Sequence, residues 1–227
     1  MTTAMTTTTD VRPAPRDESA EILIIGSGFA GLGMGAQLRR HGREDFLILD
    51  RAQQVGGTWR DNTYPGAACD VPSHLYSFSF APNPKWTSFF PPGHEIVKYL
   101  QDVCEKYEIV DKVQCNTDVE CCRWLEDEQL WEVTLRHMVQ GAGDLSAKDR
   151  QRRIEEEGEL SIFSSREIVK AKVVCSAVGG LVEPKGWPDH IPGKEHFKGP
   201  IFHSARWNHE VDMNDKNVVV VGTGCSS

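Results

Sequence analysis

Four apolar residues at positions 22–25 run without a polar break, the pattern of a strand buried on both faces. A glycine-rich turn and a small-residue segment follow, and the spacing predicts a helix over 29–40 that Gly42 ends. DFLILD predicts a second buried strand, so the chain opens as strand, helix, strand, with the two strands parallel and adjacent. From 51 to 92 the period disappears among Gly, Pro, Asn and aromatic residues, a length of irregular chain that in a compact domain is usually functional. Helical spacing returns at Ile96, Tyr99, Leu100 and Val103.

Alternation over DVECCRWLE and LWEVTLRHM, separated by a polar turn at 126–128, predicts an antiparallel meander. GAGDLSAKDRQRRIEEEGEL is charged and poor in apolar residues, so a solvated insertion with some helix and no chemistry is expected there. IVKAKVVCSAVGG predicts another buried strand, a proline-broken segment follows, and a last strand is expected over 217–221. The fold class is α/β: a Rossmann-like domain that combines a parallel sheet with an antiparallel β-meander.

Composition narrows the class of partner. With 227 residues, 39% hydrophobic and 26% charged, the chain has ordinary globular usage and room for one large domain or one and a part. A net charge of -8 without a basic cluster argues against nucleic acid and leaves small molecules. Seven cysteines without a CxxC pair suit neither a disulfide framework nor a zinc site, and no metal is expected; a reducing compartment, the cytoplasm, fits. Residues 1–19 lack the apolar core of a signal peptide and read as a disordered tail. No run approaches the roughly 18 apolar residues of a membrane span.

The strongest local chemistry is GSGFAG, residues Gly26, Ser27, Gly28, Phe29, Ala30 and Gly31. In this spacing the first glycine permits a tight turn, the second lets backbone approach a pyrophosphate, and the third lets helix and strand pack closely. The helix N-terminus adds partial positive charge. Asp50 ends the next strand, where a carboxylate would hold ribose hydroxyls. Both NAD and FAD use such a cradle.

VGGTWRDNTYPGAACDVPSHLYSFSF, residues 55–80, resembles the flavin-contacting segment of class B flavoprotein monooxygenases, above all type I Baeyer-Villiger monooxygenases. Gly56, Gly57, Trp59, Tyr64, Pro65, Gly66 and Asp70 meet the family pattern. A second match is FKGPIFHSARW, where Phe197, Gly199, His203 and Trp207 meet the family fingerprint; Asn208 stands where the family usually has Pro or Asp. A second glycine turn, GTGCSS, carries Gly222 and Gly224, with Ser227 at the third position.

The resemblance implies an FAD-bound, NADPH-dependent enzyme that inserts one atom of molecular oxygen beside a ketone carbonyl through a flavin peroxide. It implies FAD contacts at Gly26 to Gly31, Asp50, Arg51, Gly57, Thr58, Trp59, Asp61, Asp70, Tyr76 and Val119. It implies NADP contacts at Ala68, Cys69, His203, Gly222, Thr223 and Gly224, and makes Asp70 the catalytic acid, paired in the family with an arginine. Residues 20–180 would form the FAD-binding domain, 181–216 a linker holding the fingerprint, and 217–227 the first strand and turn of an NADP-binding Rossmann domain. With only that strand and turn, the chain alone is expected to oxidise ketones poorly or not at all. The alternatives are a flavin-containing N- or S-oxygenating monooxygenase and a non-catalytic FAD-binding protein.

Overall fold

The computed structural model describes residues 19–181, 183, 184, 186–188 and 190–226. The expected tail lies outside them except for Ser19, which begins the first strand rather than ending the tail. Ser227, the third position of the second glycine turn, also lies outside.

The opening unit is β1 (Ser19–Ile25), α1 (Phe29–Arg40) and β2 (Phe46–Leu49), with β1 and β2 parallel and adjacent. Alternate residues of these strands feed opposite layers. Ile24, Phe46 and Ile48 pack with Leu32 and Ala36 of α1, whereas Leu23, Leu47 and Leu49 face Val133, Leu135 and Val169. Burial on both faces explains why these strands read as unbroken apolar runs instead of alternating.

The helix α3 (Gly93–Lys106) buries Ile96, Tyr99, Leu100 and Val103, the stripe its spacing predicts. Then come β3 (Val113–Gln114), β4 (Thr117–Leu125) and β5 (Leu130–Met138). After α4 (Ala147–Glu157), β6 (Phe163–Ser176) closes a sheet ordered β3-β2-β1-β6-β5-β4. β6 pairs antiparallel with β5 over its first part and parallel with β1 over its last. One long strand thus joins the meander to the parallel half, beginning at Phe163 where the pattern pointed to Ile168.

The irregular stretch 51–92 is held by specific donors. Tyr99 donates its hydroxyl proton to the Ala81 carbonyl at 2.9 Å and accepts the Phe78 N–H at 2.8 Å, while Tyr107 donates to the Phe80 carbonyl. One short α-helix, α2 (Thr58–Asp61), and a 3-10 turn at Ser73–Leu75 interrupt it. The four residues of α2 are too few to show a period.

Two expectations need correction. No strand forms over 217–221: Val219 is 79% exposed, and Val218–Val221 join no ladder among the described residues. A β-prone run becomes a strand only by hydrogen bonding to a neighbour, and here no described strand pairs with it. The charged insertion is also not wholly solvated. Its opening carries Ala142, fully buried with Met138, Ile162 and Phe163, and a Cβ on Gly143 would lie 1.7 Å from the Arg51 carbonyl oxygen. The helix after it, α4, is capped by Ser146, whose Oγ accepts the Asp149 N–H.

The described cysteines are unpaired thiols. Burial pushes Cys104 up to about 12 and Cys115 up to about 11, so at pH 8 neither holds appreciable thiolate. Iodoacetamide at pH 8 is therefore expected to label exposed Cys121 and Cys225 and to spare Cys104 and Cys115 until the protein unfolds; peptide mapping by mass spectrometry checks this. Among the described residues no helix is long and apolar enough to cross a membrane.

Candidate functional site

The site is built where the chain leaves β1. Gly26 has φ +108°, donates its N–H to the Leu49 carbonyl at 2.7 Å, and leaves no room for a side chain, since a Cβ would meet the Ala177 oxygen at 2.4 Å. The turn is thus wedged between the ends of β2 and β6. Gly31 lies over it, with its Cβ position 1.8 Å from the Gly26 oxygen, so α1 starts as close to the turn as backbones allow. Gly28 is the N-cap of α1; no side chain caps this end, and the first turn carries no acidic residue. Free N–H groups at a glycine-lined helix start form a ready anion cradle.

A second glycine backbone crosses the first. Gly57, at φ +52°, has its Cβ position 3.0 Å from the Gly28 Cα, and Gly56 donates its N–H to the Ser27 carbonyl. The crossing places Thr58 and Trp59 beside the cradle. The Trp59 indole donates to the Tyr76 hydroxyl at 3.0 Å, Phe29 meets Tyr76 edge to face at 5.0 Å, and burial raises the Tyr76 phenol above its ordinary range. Phe29, Trp59 and Tyr76 form one aromatic wall.

Asp50 stands on the other side of the turn. Its Oδ2 accepts the Ser27 N–H at 2.7 Å and the Ser27 hydroxyl at 2.6 Å, and its Oδ1 accepts the Ala52 N–H. The Asp50 backbone is pinned between Gln114 and Thr117, at the start of β4. Val119, further along β4, packs partly into the layer containing Leu23 and Leu49.

Asp70 is exposed, and its carboxylate makes no hydrogen bond or ion pair among the described residues. The three-residue turn Ser73–Leu75 that follows has Pro72 at its N-cap without a side-chain cap, so Asp70 does not serve as one. Cys69 is buried, and its N–H donates to the Pro91 carbonyl; Ala68 bridges Pro92.

Asp61 faces away from the cradle. Burial raises its carboxyl despite the Arg60 guanidinium paired with it, and its Oδ2 has no hydrogen-bond partner among the described residues. It lines a cavity of about 270 Å3 together with Arg60, Thr63, Asp144, Arg206 and Trp207. The linker therefore lies against α2. His203 caps the short turn Ser204–Arg206 by accepting the Ala205 N–H on Nδ1, and Trp207 meets Phe202 edge to face. Gly222, Thr223 and Gly224 are exposed, with Gly222 at φ +140°; nearby, the Tyr64 hydroxyl donates to Ser226 Oγ at 3.0 Å.

An ionic network that the linear sequence hides fastens the linker. Glu183 pairs with Arg51 at 2.7 Å and with Arg150 at 3.5 Å, approaches Arg206 at 4.0 Å, and accepts the Ala147 N–H at the start of α4. Across the cavity, Arg60 reaches Asp144 at 2.7 Å. The insertion thus supplies partners to both the acid's neighbour and the linker.

Burial opposes ionisation of Glu183, but the Ala147 N–H and Arg51 outweigh it and hold the carboxyl below its usual range. A depressed carboxylate stabilises above its unfolded pKa and loses that contribution as pH falls through the folded one. Linker docking is thus expected to persist at and just below pH 4.5 and to fail at lower pH. At neutral pH, Glu183→Gln is expected to speed tryptic cleavage after Lys194 and Lys198 several-fold, read by gel and mass spectrometry.

Comparisons with known proteins show what the chain and its fold resemble. A family model described as an NAD(P)-binding Rossmann-like domain matches residues 24–91. Proteins named Baeyer-Villiger monooxygenase from Streptomyces coelicolor and Pseudomonas aeruginosa are each 41% identical, over 92% and 91% of this chain and 34% of each relative. Among solved structures, ε-caprolactone-bound cyclohexanone monooxygenase superposes with a TM-score of 0.71 at 30% identity, covering 92% of this chain and 36% of that one. NADP+-bound cyclohexanone monooxygenase from Rhodococcus sp. Phi1 gives 0.65 at 29%, covering 87% and 32%. The chain, which spans about a third of the length of the curated relatives it matches, is a homologue of Baeyer-Villiger monooxygenases.

Proposed function

We propose that residues 20–180 bind FAD and that the whole protein is an NADPH-dependent Baeyer-Villiger monooxygenase acting on a ketone with molecular oxygen. One observation carries the reading. The crossing of Gly28 and Gly57 sets an uncapped, glycine-lined helix start beside the Phe29, Trp59 and Tyr76 wall, with Asp50 at the far side of the same turn. An anion cradle between a ribose-type acid and an aromatic wall suits a dinucleotide with one ring system larger than nicotinamide. The residues present fit FAD.

In this reading the N–H groups of Gly28 to Gly31 hold the pyrophosphate, and Asp50, with Arg51 beside it, binds the adenosine ribose, with Val119 on the adenine side. Gly57, Thr58, Trp59 and Tyr76 orient the flavin end and shield it from water, while Asp61, turned away from the cradle, holds α2 from its other side through Arg60 and does not touch the flavin. FAD supplies the redox chemistry when bound. In this reading the Asp70 carboxylate, exposed and unpartnered among the described residues, would orient a cationic group beside the reacting atoms, an electrostatic role. Ala68, Cys69, His203, Gly222, Thr223 and Gly224 would belong to the NADPH side. A reducing compartment, the cytoplasm, suits its unpaired thiols.

The test is reconstitution of purified protein with FAD, read by flavin absorbance after gel filtration and by fluorescence quenching in titration. Retention near one flavin per chain is expected, and failure to retain flavin overturns the reading. For the whole protein, the expected activity is NADPH- and oxygen-dependent conversion of cyclohexanone to a lactone.

A further inference from the structure

We propose that Ser27 is a positioning residue for the adenosine ribose: it acts through Asp50 and does not touch the ligand by its side chain. This rests on the reading of Asp50 as the ribose acid. Ser27 has no exposed surface, so its hydroxyl cannot reach a molecule lying in the cradle. The hydroxyl and the N–H of this one residue both donate to Asp50 Oδ2, at 2.6 and 2.7 Å. Its carbonyl accepts the Gly56 N–H at 3.0 Å, so Ser27 joins the glycine turn, the acid and the crossing loop.

Counting acceptor positions shows what this does. A carboxylate offers about four lone-pair sites. Ser27 takes both on Oδ2, and the Ala52 N–H takes one on Oδ1. Among the described residues a single acceptor position is left, on Oδ1, and these bonds fix the carboxylate plane before any ligand arrives. Asp50 thus presents one oriented acceptor to a ribose hydroxyl, with the ordering cost already met in folding. An alanine at position 27 would keep the backbone contact but let the plane turn.

The test is a cycle of Ser27→Ala against ligands that differ only in the ribose hydroxyls. ADP and 2′,3′-dideoxy-ADP are titrated by calorimetry into wild type and variant, and FAD is titrated by fluorescence. The expected result is a loss of roughly 3- to 10-fold in affinity for ADP and FAD, the range of one hydrogen bond, with dideoxy-ADP unchanged. An equal loss for ADP and dideoxy-ADP, no loss, or tighter ADP binding overturns the proposal. If Ser27→Ala does not fold, Ser27→Cys, of similar volume and a weak donor, carries the same cycle. Binding of ADP but not FAD to wild type defeats the flavin reading while leaving Ser27 testable; binding of neither defeats both.

Discussion

Replacing Gly31 by alanine is expected to unfold the start of α1 and abolish retention of FAD. The added Cβ would lie 1.8 Å from the Gly26 oxygen and 3.0 Å from its carbon, and these are backbone atoms with no freedom to move. Gly26 is tied to the Leu49 carbonyl on one side and blocked by the Ala177 oxygen on the other. The helix would have to lift away from the turn, breaking contacts of Leu32 and Ala36 with the sheet. Overpacking in a rigid core costs about 1–3 kcal/mol, and this site, with backbone on both sides, belongs at or above the upper end. Urea unfolding with a matched m-value measures it. Met34→Ala, at a partly exposed position of the same helix, is expected to change stability by about 0.5 kcal/mol or less.

Asp50→Ala is expected to lower both stability and affinity, and the two are separable. In the free protein it strands the Ser27 N–H, the Ser27 hydroxyl and the Ala52 N–H, all three on residues with no exposed surface. Each stranded buried donor costs about 1–3 kcal/mol, and because they share one acceptor the total should be on the order of 3 kcal/mol. Denaturation of the ligand-free protein reads this. The affinity loss, read by flavin fluorescence under conditions where the variant is folded, should reach roughly tenfold or more for the lost charged acceptor. A variant that is destabilised yet binds FAD as tightly as wild type would make Asp50 a turn anchor and not a ribose acid.

The cradle was legible in the linear sequence because its chemistry is local. Gly26, Gly28 and Gly31 answer requirements that arise within six residues, and Asp50 follows from the length of one helix and one strand. The same holds for α1, α3 and the meander, whose periods are long enough to count. The segment 55–80 was legible only through its family resemblance, since its order rests on contacts from α3 such as those of Tyr99 and Tyr107. The Glu183 network was not legible at all. Its partners Arg51, Arg150 and Arg206 are scattered along the chain, and nothing in a charged residue's neighbours announces which distant charge it will meet.

By itself, then, the sequence determined the α/β class, the strand-turn-helix cradle and the acid that follows it, because each depends on dihedral freedom and hydrophobic period over short spans. The tertiary structure alone decided that Ser27 points inward to Asp50, that Gly57 crosses Gly28, and that the insertion braces the linker. It also decided that the valine run 218–221 stays outside the sheet. These outcomes turn on which distant backbone or charge arrives at a position. Burial and hydrogen bonding between remote segments set them, and local pattern carries no record of either.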